Sequence, residues 1–362
     1  MRHSTKRRLT RWVLAAVFAG VVAGITWRYW PPDAGRPRDA NTADANTLAG
    51  DANAPAGDAN APATRRARDA NTPPGGDGPA TREIAVSNGV IRALRKLSAA
   101  AAQEAVGKGN ELLAAGKLAE GRAELSRAVL SGSLPPAAAE TARKKLTDLA
   151  DRMTFSRRIY DGDPYVMQYA FRKGDVLAKV ERKLRLHVPT QILLKINNMT
   201  HPTRIRVGQT FKMIRGPFHA VVSKGRFTMD LYLHREGCLP VFIRRLGVGL
   251  GKNGSTPNGL WHIKLGSKHD RANWNPPPNS PIQRSIRWGE PGYPLGKRGY
   301  WIGLEGIEEK TRLHMGYGIH GTNDPTSIGR AVSLGCIRLA DADIERVFSL
   351  LYEHWSTVRV ES

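Results

Sequence analysis

Hydrophobic positions change their spacing several times along this chain, and each change marks a boundary. Residues 12–27, WVLAAVFAGVVAGITW, are continuously apolar apart from one threonine. Residues 31–81 hold almost no large apolar side chain. Asp-Ala-Asn recurs there at Asp39, Asp44, Asp51, Asp58 and Asp69, amid Pro, Gly, Thr and Ala. Nothing in that stretch offsets chain entropy, which predicts a disordered linker. From 82 to 160 apolar residues return at helical spacing. AAQEAVGKGNELLAAGKLAEGRAELSRAVL reads as two helices broken at Gly116, and Pro135-Pro136 open another. Within 165–215 the turn signals Gly174-Asp175, Asn197-Asn198 and Gly208-Gln209 give the order strand, helix to about Leu186, helix, strand. From 218 to 362 the pattern shortens to strands. FTMDLYL, PVFIRRLGVG and GLWHIKLG alternate or run β-branched and aromatic between Gly and Pro turns.

These boundaries predict a multidomain chain of 362 residues, more than one ordinary domain holds. The first thirty residues carry six Lys or Arg and no Asp or Glu. Arg2, Lys6, Arg7, Arg8 and Arg11 stand before the apolar run, so the N-terminus is expected to stay cytoplasmic and the rest to be exported. The run is a signal peptide or a membrane anchor. We read an uncleaved anchor, because Trp27, Tyr29 and Trp30 resemble an interfacial aromatic belt. The remainder is then expected to be periplasmic or to face the cell wall.

Charge is uneven. Thirteen Lys or Arg face four Asp or Glu in 155–217, against nineteen and thirteen in 218–362. Nucleic acid, anionic lipid or an acidic wall polymer would each suit such a segment, as would a solvated surface without a partner. Export argues against nucleic acid. Two cysteines make no disulfide framework. A Cys238–Cys336 bridge would silence any thiol chemistry. Cys238 sits at an expected hairpin tip, beside Glu236-Gly237, and is read as a bystander. The Asn-, Pro- and Gly-rich stretch 267–300, with Trp274 and Trp288, is long for a loop, and such loops often act as lids.

One stretch carries candidate chemistry. HGTNDPTSIGRAVSLGCIRL, residues 320–339, places His320 and Cys336 sixteen positions apart. A cysteine attacks as thiolate and needs a base or a positive field. His320 ends the apolar run GYGI, at an expected strand end. Cys336 precedes IRL, an expected strand start. Adjacent strand ends can bring the two within reach, and the amides of Gly335 and Cys336 are positioned to hold an oxyanion. Spacing alone leaves open a buried cysteine and an unrelated histidine.

The motif order narrows this. His320-Gly321-Thr322 followed by Ser333-Leu334-Gly335-Cys336-Ile337-Arg338 resembles the L,D-transpeptidase catalytic domain, the YkuD domain. GKNGSTPNGLWHI, with Thr256-Pro257 and Gly259, and YPLGKRGYWIGL resemble two further family segments, so the likeness covers roughly 218–361. It implies a mostly-β catalytic domain with Cys336 as nucleophile, His320 as general base and Gly335 at the oxyanion site. Ser333, Arg338, Gly321 and Thr322 match positions that shape the site. An ion-pair role for Arg338 stays open beside this. Many family members have a second histidine where this chain has Leu334, so proton transfer here must rest on His320.

Residues 165–215 resemble a LysM module, which implies binding of glycans such as peptidoglycan, with Gly174, Asp175, Asn197 and Asn198 as candidates. Arg172, Lys173, Arg182, Lys183, Arg204 and Arg206 would suit an anionic wall. Residues 82–160 resemble a tetratricopeptide-type hairpin plus one helix, read as a helical spacer.

The expected activity is acyl transfer through a Cys336 thioester on peptidoglycan stem peptides, giving 3–3 cross-links. Neither metal nor organic cofactor is called for, and no protein partner is specified. The alternatives are a non-catalytic peptidoglycan-binding protein and an L,D-carboxypeptidase that hydrolyses stems.

Overall fold

The computed structural model describes residues 79–277 and 280–362. The expected anchor at 12–27 lies outside them, as does the expected linker up to residue 78. Residues 79–81 open a helix instead. Among the described residues no helix is long and apolar enough to cross a membrane.

Four helices come first: α1 (Pro79–Leu94), α2 (Ala99–Ala114), α3 (Leu118–Ser131) and α4 (Pro136–Met153). Ser98 caps α2, its hydroxyl accepting the Ala101 amide at 3.1 Å. Gly116, at φ +76°, turns the chain between α2 and α3. A Cβ on Gly109 would lie 2.8 Å from Leu125, so glycine is what lets α2 and α3 approach so closely. Pro136 opens α4, where the missing N–H costs nothing. Ala142, Leu146, Leu149 and Met153 then bury one stripe of α4.

Next come β1 (Val166–Ala170), α5 (Leu177–Leu184), α6 (Thr190–Ile196) and β2 (Thr210–Ile214). β1 and β2 pair antiparallel, from Val166 opposite Ile214 to Ala170 opposite Thr210. Asn197 is 3% exposed. Its side-chain nitrogen donates to the carbonyls of Leu193 (2.8 Å) and Lys212 (2.9 Å), and its oxygen accepts the Lys212 amide at 2.8 Å. With every polar atom used to close the unit, Asn197 cannot serve a glycan as the sequence reading expected.

The remaining elements are β3 (Phe218–Ser223), β4 (Thr228–Leu233), β5 (Val241–Gly247), β6 (Leu250–Gly251), β7 (Gly259–His269), β8 (Trp301–Gly306), α7 (Glu309–Arg312), β9 (Gly318–Gly321), β10 (Ala331–Ser333), β11 (Ile337–Leu339), α8 (Asp341–Leu350) and β12 (Thr357–Glu361). An eight-stranded sheet runs β11-β9-β8-β7-β12-β3-β4-β5, and β6 and β10 form a parallel pair. Gly249, just past β5, exchanges backbone hydrogen bonds of 2.9 and 2.8 Å with Arg338 on β11. That link ties the two ends of the sheet and makes it barrel-like.

β3 to β5 are covered on both faces. Phe218, Ala220 and Val222 enter the main core with Leu231 and Ile243. From the opposite face Val221, Tyr232 and Phe242 pack with Leu125, Leu146 and Leu149 of the helices. The Phe242 amide donates to Ser126 Oγ at 2.9 Å, and Arg244 Nη2 reaches both Asp151 oxygens at 2.9 and 2.8 Å. The helices therefore share a core with the sheet and are no detached spacer. Their periodicity announced a face to bury but not its partner.

Candidate active site

Alternation along β9 sorts its side chains. Ile319 pairs in register with Ile302 on β8 and Ile337 on β11, and all three are buried. His320 therefore points to the other face, flanked in register by Trp301 and Arg338. Carried one residue back, the same register sets Cys336 opposite Gly318. Cys336, Arg338 and His320 thus share one face of two adjacent parallel strands.

His320 is 7% exposed. Its Nδ1 lies 2.6 Å from the Gly321 carbonyl, which can only accept, so the proton sits on Nδ1 and Nε2 keeps its lone pair. The Trp301 ring stacks beside the imidazole, centroids 5.8 Å apart and planes within 15°. Burial, reinforced by the Arg338 cation, brings the His320 pKa down to about 4 against the opposing bond to Gly321. At neutral pH the ring is a neutral base.

Cys336 is a free, half-buried thiol, and so is Cys238, whose pKa burial raises. The Cys336 sulfur lies 3.8 Å from the Gly316 carbonyl. Burial pushes its thiol up to about 11, while the Gly318 amide directed at it and the Arg338 charge pull the other way. No hydrogen bond joins Cys336 to His320 among the described residues. The resting pair is therefore a neutral thiol and a neutral imidazole on one face. Proton transfer in such a pair accompanies attack, since no standing ion pair precedes it.

The loop before Cys336 is braced from three sides. Ser333 Oγ donates to the Cys336 carbonyl at 2.7 Å and accepts the Gly335 amide at 3.1 Å. Thr256 Oγ1 donates to the Gly335 carbonyl at 2.8 Å and accepts the Gly251 amide at 2.8 Å. A Cβ on Gly335, at φ +139°, would lie 2.6 Å from the Tyr317 ring. The Gly335 amide is thus occupied by Ser333, and Gly335 shapes the turn. Of the expected oxyanion pair, this takes one donor away and leaves the Cys336 amide as candidate.

The other family-like segments converge on the same place. A Cβ on Gly321 would lie 2.7 Å from the Leu295 carbonyl, and one on Gly296 would lie 3.0 Å from the Thr322 amide. Thr322 Oγ1 accepts the Asp324 amide at 3.1 Å and holds the turn that leaves β9. The 267–300 stretch thereby packs its Pro294–Gly296 portion against His320–Thr322. Arg338 is half-buried and makes none of the ion pairs among the described residues, while its charge helps hold the Asp324 carboxyl below its usual range. Leu334 is 41% exposed and carries nothing that moves a proton.

Three contributors escaped the sequence reading. Trp301 orients His320, the Gly318 amide faces the sulfur, and Tyr317 packs on Gly335. The linear signal for Tyr317 and Gly318 was the run GYGIH, whose glycines mark close backbone approach, while Trp301 lay inside the segment YPLGKRGYWIGL without a role read for it. Gly174, at φ +85°, turns the chain toward α5, and Asp175 accepts from the Tyr169 hydroxyl and the Arg172 amide, both at 2.8 Å. Asn198 is exposed, at φ +56°.

Comparison with known proteins agrees with the geometry. Residues 217–360 match the family YkuD, the L,D-transpeptidase catalytic domain. A Bacillus subtilis chain described as an L,D-transpeptidase, YkuD, is 29% identical over 194 residues, which cover 51% of this chain and 94% of that one. That likeness reaches upstream of residue 217. An Escherichia coli K12 chain described as an L,D-transpeptidase, YbiS, is 33% identical over 130 residues, covering 33% of this chain and 38% of its own. Among solved structures, L,D-transpeptidase 3 from Mycobacterium tuberculosis, in complex with a faropenem-derived adduct, aligns with a TM-score of 0.30 and 12% identity, over 55% of this chain and 92% of its own. Residues 217–360 are thus similar to the L,D-transpeptidase catalytic domain of the YkuD family.

Proposed function

We propose that this chain is a cysteine-dependent L,D-transpeptidase acting on peptidoglycan stem peptides. The observation that carries the reading is the shared face of β9 and β11, with His320 Nδ1 tied to Gly321 so that Nε2 is the free base. In the first step the Cys336 sulfur attacks the carbonyl of the third stem residue as His320 Nε2 takes its proton. The Cys336 amide is the donor offered to the oxyanion. The terminal D-alanine leaves with the proton from His320, and a thioester remains. An amine of a second stem then attacks the thioester as His320 takes its proton, the carbon–sulfur bond breaks, Cys336 leaves with that proton, and the new amide is a 3–3 cross-link. Arg338, unpaired beside the sulfur, is suited to a stem carboxylate.

The βααβ unit is proposed as a LysM-like glycan module and residues 12–27 as the anchor of an exported enzyme. The turn signals of 165–215 and the basic, then apolar, opening of the chain support this arrangement.

One observation favours a second reading, a non-catalytic peptidoglycan-binding domain. The Cys336 thiol is held up near 11 without a hydrogen bond to its base. Mass spectrometry of the protein mixed with a carbapenem, beside Cys336→Ala, decides between them. A single adduct confined to wild type supports the enzyme, and stem-peptide products then separate transfer from hydrolysis. A folded protein with no adduct over hours sinks the enzymatic reading.

A further inference from the structure

Between residues 172 and 206 nine lysines and arginines are exposed, against only two carboxylates, both half-buried. Asp175 is occupied by Tyr169 and Arg172 of its own turn, and Glu181 accepts the Thr190 hydroxyl at 2.9 Å. None of the nine cations joins an ion pair among the described residues. Arg182 and Arg204 reach only neutral oxygens, at 3.4 Å. In the catalytic domain some cations are paired, Arg245 with Asp230 and Arg359 with Glu308.

These charges have a place. Ala170 pairs with Thr210, so the turn leaving β1 and the turn entering β2 lie at the same end of the ladder. The Gly208 amide donates to the Phe171 carbonyl at 2.7 Å and fastens the two turns together. Arg172 and Lys173 sit on one turn and Arg206 on the other. Each turn also exposes a valine: Val176 is 53% exposed and Val207 69%. α5 continues the surface. Its inner positions Leu177 and Val180 are buried, while Lys179, Arg182 and Lys183 face out.

We propose that these paired turns and the outer face of α5 dock on an anionic phospholipid headgroup layer. A neutral sugar held by the glycan module would leave these cations unused, so the layer is a further ligand beside it. A soluble polyanion would satisfy the cations but not the two exposed valines. A headgroup layer takes both, with phosphates on the cations and the valines in the interface.

The test uses the full chain in phosphatidylcholine vesicles, with or without phosphatidylglycerol, read by hydrogen exchange of peptides spanning 172–185 and 204–209. Protection is expected only with phosphatidylglycerol, and it is expected to fade at high salt. The variant Arg172→Gln/Lys173→Gln/Arg206→Gln should weaken the protecting equilibrium about a hundredfold, since each cation near such a surface contributes about fivefold. Val176→Ser/Val207→Ser should weaken it as well, with unchanged melting. Equal protection in both vesicles, or none in either, overturns the proposal. So does protection by soluble polyphosphate that the valine variant leaves intact, which assigns the surface to an anionic polymer.

Discussion

Thr256 and Gly335 lie seventy-nine residues apart in sequence, yet the Thr256 hydroxyl donates to the Gly335 carbonyl at 2.8 Å beside the cysteine. The same oxygen accepts the Gly251 amide. Both partners are buried, so Thr256→Val leaves a carbonyl and an amide unsatisfied, a cost of roughly 1–3 kcal/mol for each. We expect carbapenem acylation of Cys336 to slow at least tenfold in Thr256→Val, and Thr256→Ser to restore it. Equal acylation in the two variants, measured by mass spectrometry, would show that the brace does not set the position of the sulfur.

The thiol and imidazole are both neutral at rest, and this has a pH signature. With the Cys336 pKa up at about 11, the thiolate fraction rises about tenfold per pH unit through neutrality. Iodoacetamide alkylation of Cys336 is therefore expected to accelerate steadily from pH 7 to pH 10. A standing thiolate–imidazolium pair would give a rate already flat by pH 7, and a plateau there would refute the neutral pair.

Much of the site was legible in the order of motifs, because Gly-Thr after His320 and Ser-x-Gly before Cys336 each serve a local turn. What stayed hidden depends on register. No linear rule says that Gly318 falls opposite Cys336 or that Trp301 falls beside His320, since both follow from β8, β9 and β11 pairing across the sheet. The same holds for the helices. Leu146 and Leu149 announced a buried stripe, but Phe242 and Tyr232, nearly a hundred residues on, complete it. Asn197 read as a polar turn residue because two of its three side-chain hydrogen bonds depend on Lys212 arriving from β2.

The shared core makes a stability prediction. Phe242 is fully buried between β5 and the helices. Phe242→Ala is expected to cost about 3–5 kcal/mol. The loss should appear as a single unfolding transition shifted to lower urea, because helices and sheet share the lost contacts. If the sheet's transition stayed in place while a separate helical transition moved, the two would be independent units.

Buried histidines should make the fold acid-sensitive. Burial brings His219 down to about 3 and His234 and His320 down to about 4. His219 and His234 meet Ser87 of α1, at 3.3 and 2.5 Å. An unfolded histidine binds its proton near pH 6.5, so between there and pH 4 the unfolded state holds more protons. Stability is then fully present above about pH 6.5 and falls as pH drops, by at most about 1.4 kcal/mol per unit per histidine. Urea midpoints at pH 7 and pH 4.5 check this. His234→Gln should flatten the slope, and an unchanged slope would exclude this cluster as its source.

Arg338 acts on both partners with one sign. Its cation lowers the pKa of Cys336 and of His320, favouring thiolate and disfavouring imidazolium. Arg338→Gln should therefore raise both. At fixed pH the thiolate fraction falls, so alkylation of Cys336 slows. The acid limb of acylation, set by protonation of His320, moves up toward neutrality. A charge-keeping Arg338→Lys should hold both values near wild type. If Arg338 instead acts only by gripping a substrate carboxylate, alkylation by neutral iodoacetamide would be unchanged in Arg338→Gln, while reaction with an anionic carbapenem would still drop. Running the two reagents side by side over pH separates the field of the guanidinium from its grip.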